Sequence, residues 1–399
     1  MSEWKEVELK SISEYLNRGI SPKYSDEGNL IINQKCIRNN VVTINEARFS
    51  SVDKKINAEK YLKPLDILVN STGTGTLGRT AQIKKIGCPI SVDTHVTIVR
   101  PNNSVDKKFI ALQLALKEPE IVALGKGATN QQELGREELG SIKILLPPLP
   151  TQQRIASILS AYDDLIENNL KRIKLLEEIA QRTYEEWFVK FRINGVQLEV
   201  GENGLPEGWE EKEFQYFGEI ITGKTPSTLN EDFFNGEIPF VKTPDMSGFP
   251  YVLDTTQTLS ELGADNQRKK TIPKNSLMVS CIGSAGVYAL ASRNCQTNQQ
   301  INSIAFYQEY YPFYFYCFAK KLKPILEGLG SNGATMTNVN KGKFEKMKAV
   351  LPEITTLKNF HENIKLNFET ILNLQNQNLL LKESRDILLP RLMSGKVGV

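Results

Sequence analysis

The sequence predicts an α+β fold in which two similar globular domains are separated by two long helices that pair as an antiparallel coiled coil. Three observations predict it. The 399 residues are enough for two or three domains. Segments recur at an offset of about 205 residues, because Ile142–Pro147 resembles Met347–Pro352 and Gly127–Thr129 reappears as Gly333–Thr335. Each repeat is followed by a long stretch with almost no glycine or proline.

The composition argues against several classes of protein. Apolar residues make up 40% of the chain and charged residues 24%, which is near the globular average. No window approaches the roughly 18 consecutive apolar residues of a membrane helix, and the first residues lack the pattern of a signal peptide. We therefore expect a cytoplasmic protein. Five scattered cysteines and two histidines predict neither a disulfide framework nor a metal site.

Turn-forming residues divide the chain into four parts. We predict a globular domain at 1–146, a central helical spacer region at 147–206, a second globular domain at 207–352 and a C-terminal helical spacer region at 353–399. Short β-type runs such as Asp66–Val69 and Leu277–Val279 are separated by clusters of Gly, Asn, Ser, Thr and Pro. This pattern predicts mixed α+β domains.

The stretches Thr151–Phe191 and Thr356–Leu392 are predicted to be the long helices. Residues at alternating steps of four and three form a heptad seam in the first, and the seam recurs 205 residues later. We expect each helix to bury its seam against the other over about 50 Å. Asn169, within the seam, is interpreted as a register-setting residue rather than a ligand. The other seam residues include Ile155, Leu159, Tyr162, Ile166, Ile173, Leu176, Trp187, Phe360, Ile364, Ile371, Leu374, Leu381, Leu388 and Leu392.

Two motifs of nucleotide-binding proteins are present by letter, and we reject both. Gly73–Gly78 fits G-x-G-x-x-G, but the stretch after it is too short for the crossover helix of a dinucleotide-binding fold. Gly218–Thr225 fits the P-loop formula, but its middle is typical of a strand and Pro226 follows at once. A turn is the better interpretation, and nucleotide binding through Lys224 stays a less favoured alternative.

The net charge of +3 hides local differences. Residues 51–100 hold eight basic and four acidic side chains, and residues 251–350 hold twelve and six. Residues 201–250, with three basic and ten acidic side chains, offset this surplus. Basic loops rich in Asn, Gln, Ser and Thr suit phosphate contacts together with hydrogen bonds to base edges. The charge pattern is compatible with nucleic-acid binding, and the lack of recognisable catalytic motifs in the sequence favours a binding protein over an enzyme.

The segments around the first long helix form a recognisable motif. Leu146–Ala156 leads into this helix, which ends at Tyr184–Phe188. This arrangement resembles the central region of one family, the specificity subunits of type I restriction-modification systems. One departure is Leu351–Lys358, which lacks the Pro-Leu-x-x-Gln-x-x-Ile form of the first half. The similarity covers essentially the whole chain, and the further matching segments are Thr222–Pro226, Ile238–Thr243 with Asp245, Thr297–Ile301 and Leu388–Gly395.

The resemblance implies two target recognition domains, each reading one half of an interrupted double-stranded DNA sequence. The chain would catalyse nothing and would bind no metal and no cofactor of its own. Two methyltransferase subunits carrying S-adenosylmethionine would assemble on it and modify adenine N6. Restriction subunits with translocase activity would join them to cleave unmodified DNA. The coiled coil would set the distance between the half-sites.

We predict that polar and basic side chains in loops of both domains face the DNA. His95, next to a strand-like run, is interpreted as a core histidine. A coiled-coil scaffold that does not bind DNA stays open as an alternative function. The predicted DNA-binding residues are Asn70, Ser71, Thr72, Thr74, Arg79, Lys126, Thr129, Asn130 and Gln131 in the first domain, and Lys224, Thr225, Lys242, Ser280, Asn298, Gln299, Gln300, Asn332, Thr335 and Asn338 in the second.

Overall fold

The computed structural model describes residues 4–127, 132–330 and 337–399. The chain divides into two compact units. The first comprises the residues up to Leu165 together with Leu381–Val399, and the second comprises Ile166–Leu380. Each unit thus contains one globular domain and a part of both long helices. No helix in the described ranges has the length and apolar character needed to cross a membrane.

The described residues of the first unit form twelve strands and three short α-helices, followed by the start of a long one. The strands are β1 Lys5–Glu8, β2 Ser13–Arg18, β3 Tyr24–Ser25, β4 Asn29–Ile32, β5 Ile37–Arg38, β6 Val41–Val42, β7 Arg48–Ser50, β8 Ile67–Asn70, β9 Thr80–Gln82, β10 Ile90–Val92, β11 Val96–Pro101 and β12 Lys143–Leu146. The helices are α1 Lys107–Leu116, α2 Glu118–Ala123, α3 Arg136–Gly140 and the long α4 Leu149–Tyr184.

The second unit contains the remaining strands and helices. Its strands are β13 Arg192–Ile193, β14 Val196–Gln197, β15 Glu210–Glu213, β16 Gly218–Thr222, β17 Phe234–Val241, β18 Tyr251–Val252, β19 Thr258–Leu259, β20 Leu277–Ser280, β21 Tyr288–Ala291, β22 Gln296–Thr297, β23 Ile301–Phe306 and β24 Lys348–Leu351. Its helices are α5 Phe214–Phe217, α6 Glu261–Asn266, α7 Pro312–Ala319, α8 Leu322–Gly330, α9 Lys341–Glu345 and the long α10 Ile354–Met393.

The two units repeat one sheet topology. The antiparallel order β2-β11-β8-β9 in the first unit corresponds to β16-β23-β20-β21 in the second. The pair β1-β12 corresponds to β15-β24, and the order β10-β4-β7 corresponds to β22-β17-β19. In the last set, β4 and β10 are parallel, and so are β17 and β22. The repetition that the sequence predicts therefore extends to strand order and direction.

Apolar residues fill two separate cores in each unit. In the first unit, one core joins α1 to the long helices through Phe109, Ile155 and Leu392. The other core lies around the parallel pair and includes Ile32 and Val92. The second unit follows the same plan, with an aromatic core against the helices and a smaller core around Val241.

The two long helices lie close to their predicted positions. α4 starts at Leu149, where the prolines at 148 and 150 occupy positions whose N–H groups a helix leaves unpaired. The Gln152 amide donates to the Pro147 carbonyl, 2.8 Å away, and so fixes the entry of the chain. α4 continues as a short π-helical segment, Glu185–Val189, and Phe191 with φ of +54° then turns the chain out of the helix.

Contacts between α4 and α10 run in opposite directions along the two helices. In the first unit, Arg385 donates to the Asp163 carboxylate at 2.7 Å. In the second unit, the Asn169 amide donates to Asn378 Oδ1 at 3.0 Å, and the Trp187 and Phe360 rings lie 5.9 Å apart. Every apolar seam residue named above is buried or half-buried. The predicted fold class, α+β domains with an antiparallel helix pair, is confirmed.

Candidate nucleic-acid interface

Polar segments of the first unit meet where two parallel strands end. Ile32 of β4 lies beside Val92 of β10, so the segments that begin at Asn33 and Asp93 leave the sheet at the same edge. Crevices outside the carboxyl ends of parallel strands are frequent ligand sites. Gly19 packs against this edge, and a Cβ on it would lie only 1.9 Å from the Val92 carbonyl oxygen. The close approach therefore requires glycine there.

The Thr72 hydroxyl connects two side chains at this edge. Its Oγ1 lies 2.6 Å from Nδ1 of His95 and donates to Oε1 of Gln34 at 3.5 Å. The backbone N–H of His95 donates to Asp93 Oδ1 at 2.9 Å. Burial raises the pKa of Asp93, and the hydrogen bond from His95 opposes that shift. The edge therefore presents an amide and an imidazole that one hydroxyl holds in place.

A polar cleft of about 430 Å³ opens at the same edge. Gln34, Asp93 and His95 line one part of it, and the side chains of β7 and the turn before it line the other. Both hydrogen-bond donors and acceptors face this space. Such a mixture suits the recognition of base edges in a DNA groove better than the binding of an apolar ligand. The lining residues are Tyr24, Asn33, Gln34, Lys35, Asn45, Glu46, Ala47, Arg48, Asp93 and His95.

Asn70 and Ser71 lie inside the protein, which corrects their prediction as DNA-facing residues. Both side chains are fully buried at the end of β8. The Asn70 amide donates to the Gln34 carbonyl at 3.0 Å, and the Ser71 hydroxyl pairs with that of Thr97. β8 is flanked by β11 and β9, so its last residues have no access to solvent. Asn70 instead positions the segment that carries Gln34.

The glycine-rich segment Gly73–Gly78 forms a turn. Its three glycines have positive φ values, and a Cβ on Gly78 would lie 2.5 Å from the Val122 side chain. Arg79 closes the turn by donating to the Gly75 carbonyl at 2.7 Å, while Thr74 is exposed at the tip. No helix follows the turn, which agrees with rejecting a dinucleotide motif.

Lys126 is highly exposed and forms an ion pair with Glu138 at 2.6 Å. This hydrogen bond lowers the pKa of the Glu138 carboxyl. The neighbouring predicted residues Thr129, Asn130 and Gln131 lie outside the described residues. Their DNA contacts, like that of Lys126, stay predictions.

The second unit has an equivalent edge, where the parallel strands β17 and β22 end, but its side chains differ. Val241 of β17 lies beside Thr297 of β22, so the segments that begin at Lys242 and Asn298 leave the sheet together. Gly223 corresponds to Gly19, because a Cβ on Gly223 would lie 2.2 Å from the Asn298 carbonyl oxygen. The same steric requirement therefore applies at both edges.

Four predicted residues of the second domain form two hydrogen-bonded pairs at this edge. The Thr225 hydroxyl donates to Gln299 Oε1 at 2.7 Å. The Asn298 amide donates to Gln300 Oε1 at 3.1 Å, and its own oxygen accepts from the backbone N–H of Gln300. Lys224 is anchored through its backbone N–H, which donates to the Thr297 carbonyl at 2.9 Å. The structure thus brings these residues together.

Ser280 is fully buried at the end of β20, so its prediction as a DNA-facing residue is also corrected. Its hydroxyl lies 3.2 Å from that of Thr243, in the segment that follows β17. Ser280 therefore has the supporting position that Asn70 has in the first unit. Asn338 is exposed beside Ile282, whereas Asn332 and Thr335 lie outside the described residues.

The letters of the P-loop motif fall on a strand. Gly218–Thr222 is β16, which pairs with β23 over its whole length. The chain continues without a helix through Pro226 to Asn230. A phosphate cradle needs an open loop that leads into a helix N-terminus. In the described ranges, no group of three or more His, Cys, Asp or Glu side chains could hold a metal ion.

The sequence reasoning missed several residues of the first edge. Gln34, Lys35 and Arg48 line the cleft, and His95 is exposed there, so its interpretation as a core histidine is wrong. The Asp93 carboxylate accepts a hydrogen bond from the His95 backbone N–H. This contact fixes the turn after β10, in which the His95 side chain lies outside the core. The available signal was an apolar β-type run that ends in polar residues, since Asn33 and Gln34 follow β4 as Lys242 and Thr243 follow β17.

Comparisons with known proteins agree on one family. The model of the type I restriction modification DNA specificity domain matches residues 1–178 and 206–376. The specificity subunit of the type I restriction enzyme HindI from Haemophilus influenzae is 30% identical over the full length of both chains. That of MjaIX from Methanocaldococcus jannaschii is 26% identical over 86% of this chain and 81% of the relative.

A solved structure shares the fold. The crystal structure of the type I restriction-modification system S subunit from M. genitalium matches 98% of this chain and 96% of its own, with 16% identity and a TM-score of 0.62. Together, the duplicated family match and the full-length relative decide the assignment. The chain belongs to the specificity subunits of type I restriction-modification systems, and its function is sequence-specific DNA recognition.

Proposed function

We propose that this chain reads a bipartite DNA target, with one half-site bound by each globular domain. The main support for the proposal is the duplicated edge, where polar side chains follow the ends of the parallel strands in both units. The two edges share their backbone plan but differ in side chains, with Gln34 and His95 at the first edge and Lys242 and Gln299 at the second. Two such readers suit two different half-sites.

The chain acts through partner subunits in this proposal. Two methyltransferase subunits bind S-adenosylmethionine and methylate adenine N6 within the target, and restriction subunits with translocase activity cleave unmodified DNA. The specificity subunit itself binds no cofactor and catalyses no reaction. Its contribution is to choose the site, through base-edge hydrogen bonds and phosphate contacts.

Methylome sequencing of a host with and without this gene tests the proposal. We expect methylated adenines in one bipartite motif, with a fixed spacer, that disappear when the gene is deleted. An identical methylome in both strains would contradict it. Active methyltransferase genes must be retained in both strains, since the chain supplies only the specificity.

A binding experiment separates DNA recognition from a scaffold role. The complex reconstituted with its methyltransferase subunits should bind a duplex carrying the motif, and its affinity should fall steeply as salt rises, because phosphate contacts release counterions. A mutated duplex of equal length provides the control. Equal affinity for the two duplexes would argue against sequence recognition.

A further inference from the structure

Arg48, which lines the cleft of the first unit, stacks on an aromatic ring. Arg48 is exposed at the start of β7, and its Cζ lies 3.5 Å from the ring centroid of Tyr24. Tyr24 faces Ser50 across the β3–β7 pair, so Arg48, two residues from Ser50, lies diagonally opposite Tyr24 on the same face. The Tyr24 ring is itself 41% exposed. Neither side chain is therefore needed to fill a core.

The stacked arrangement leaves the guanidinium edge available. A guanidinium that lies on an aromatic ring keeps its N–H groups in the plane of the fork and loses little further side-chain freedom on binding. Glu46 and Asp93 also line the cleft, but neither forms an ion pair with Arg48 among the described residues. The Asp93 carboxylate is buried and accepts from the His95 backbone. Arg48 also forms a hydrogen bond with the Tyr24 hydroxyl, and the described residues show no further hydrogen bond or ion pair of its guanidinium, so its other N–H groups stay available in the cleft.

Strand register identifies the corresponding position in the second unit. Ile31, the residue before the end of β4, lies opposite Arg48 of β7. Phe240, the residue before the end of β17, donates through its backbone N–H to the Gln257 carbonyl at 3.2 Å. Gln257 therefore occupies the position in the second unit that is equivalent to Arg48 in the first. The two domains place side chains of different hydrogen-bonding chemistry at one structural position.

We propose that Arg48 is a specificity-determining residue that reads a guanine in the half-site bound by the first domain. Two N–H groups of its fork match the N7 and O6 acceptors that guanine presents in the major groove. Tyr24 is the positioning residue, since it holds the guanidinium by stacking. This inference rests on the proposed function and assigns one base contact within it.

The test uses the full chain in complex with its methyltransferase subunits. Arg48→Ala should relax one G·C position of a single half-site in the methylome and leave the other half-site unchanged. In a binding assay, the wild-type complex should prefer the G·C duplex over a duplex substituted at that position by about 10-fold to 100-fold. Arg48→Ala should abolish this preference.

Two further variants test the roles of charge and of Tyr24. Lys108→Ala removes one exposed positive charge from α1. α1 packs into the core that contains the long helices and not into the core beside the cleft. This variant should therefore leave the motif unchanged. Tyr24→Ala should weaken the G·C preference, and Tyr24→Phe, which keeps the ring face, should restore it. A purely structural role for Tyr24 would not change base preference at one position.

An unchanged motif in Arg48→Ala would overturn the assignment. A uniform loss of affinity on all duplexes, with a salt slope smaller by about one, would assign Arg48 to a phosphate and would also overturn it. If Arg48→Ala does not assemble, Arg48→Gln serves in its place, and retained G·C preference in that variant is the contradicting result. A wild-type complex that methylates no bipartite motif would instead refute the proposed function.

Discussion

A buried ion pair joins Asp66 to Arg100 in the first unit. The guanidinium donates to both carboxylate oxygens at 2.8 and 2.7 Å and to the Tyr61 carbonyl at 2.9 Å. Only 1% of the Asp66 side chain and 3% of the Arg100 side chain are exposed. The hydrogen bonds with Asp66 raise the pKa of Arg100 despite its burial. The guanidinium therefore stays charged at any ordinary pH.

Removing one partner of this pair should destabilise the first unit. We expect Asp66→Ala to lower the free energy of unfolding by about 3–5 kcal/mol, because an unpaired charge stays buried. Glu14→Ala is the matched control, since Glu14 pairs with Lys63 at 3.8 Å on the surface and should cost less than about 1 kcal/mol. Denaturant unfolding measures both. Equal losses in the two variants would contradict the interpretation.

The buried histidine of the second unit should make its stability depend on pH. His361 stacks on Phe313 with ring centroids 5.2 Å apart, and its Nδ1 has no hydrogen-bond partner among the described residues. Burial lowers its pKa below the usual 6.5, while Glu362 acts in the opposite direction. The unfolded chain then takes up a proton near pH 6.5 before the folded protein does.

Stability of this unit should therefore fall as the pH drops below 6.5 and through the lowered pKa. His361→Leu, which cannot be protonated, should show a smaller loss over that window. Thermal unfolding of both proteins from pH 7.5 to pH 5 would check this prediction. Parallel pH profiles for wild type and variant would contradict it.

Single residues also show where sequence reasoning reached its limit. Asn70 and Ser280 were recognisable as polar residues after apolar runs, but such residues can face solvent or lie inside. Their burial depends in part on β11 and β23, which flank β8 and β20 and come later in the chain, after at least one intervening strand. His95 was misjudged for the same reason, because the direction of the turn after Asp93 is decided by tertiary contacts.

At the scale of elements, the helices were predictable and most strand pairings were not. Heptad spacing is a local signal, so α4 and α10 lie within a few residues of their predicted bounds. The parallel pairs β4–β10 and β17–β22 join segments about 60 residues apart, with no local pattern that specifies them. The cleft lies at one of these pairs, so its full set of residues could not be predicted.

A polar pair in the helix seam is expected to fix the register of the helices. Asn169 donates to Asn378 Oδ1 at 3.0 Å, and the Asn378 amide nitrogen is buried with no hydrogen-bond partner in the part of the chain that the structure describes. Asn169→Leu alone should lower the free energy of unfolding by about 1–3 kcal/mol, because it leaves buried polar atoms unpaired. The double variant with Asn378→Leu should recover that loss, since an apolar pair needs no hydrogen bonds.

Thermal unfolding of the two variants and the wild type checks this prediction. Lys171→Ala is a suitable control, since Lys171 forms an exposed ion pair with Glu167 and its replacement should change the stability by well under 1 kcal/mol. A single variant at least as stable as the wild type would show that the asparagine pair is not needed for helix pairing.

At the scale of the whole molecule, duplication was the most informative feature of the sequence. Repeated segments such as Ile142–Pro147 and Met347–Pro352 fall on β12 and β24 and the residues beside them, at equivalent places in the two units. The drift of the offset in other segments reflects loops of different length. Fold class and function followed from this repetition together with the family motifs, whereas individual base contacts depend on tertiary structure.

Lengthening both helices tests whether they set the spacer of the target. Seven residues inserted after Leu170 and after Gln377 keep the heptad phase and add about 10.5 Å of helix, which corresponds to roughly three base pairs. We expect the methylated motif to keep both half-sites and to gain a longer spacer. The same insertion in the exposed loop at Gly204 is the control. An unchanged spacer in the helix variant would contradict a measuring role.

The central claim is that each globular domain reads its own half-site. The most direct test exchanges residues 1–146 for the corresponding domain of another specificity subunit and sequences the methylome. We expect one half of the motif to change to that of the donor, while the half read by residues 207–352 and the spacer persist. A motif that stays the same in both halves would show that residues 1–146 do not read a half-site.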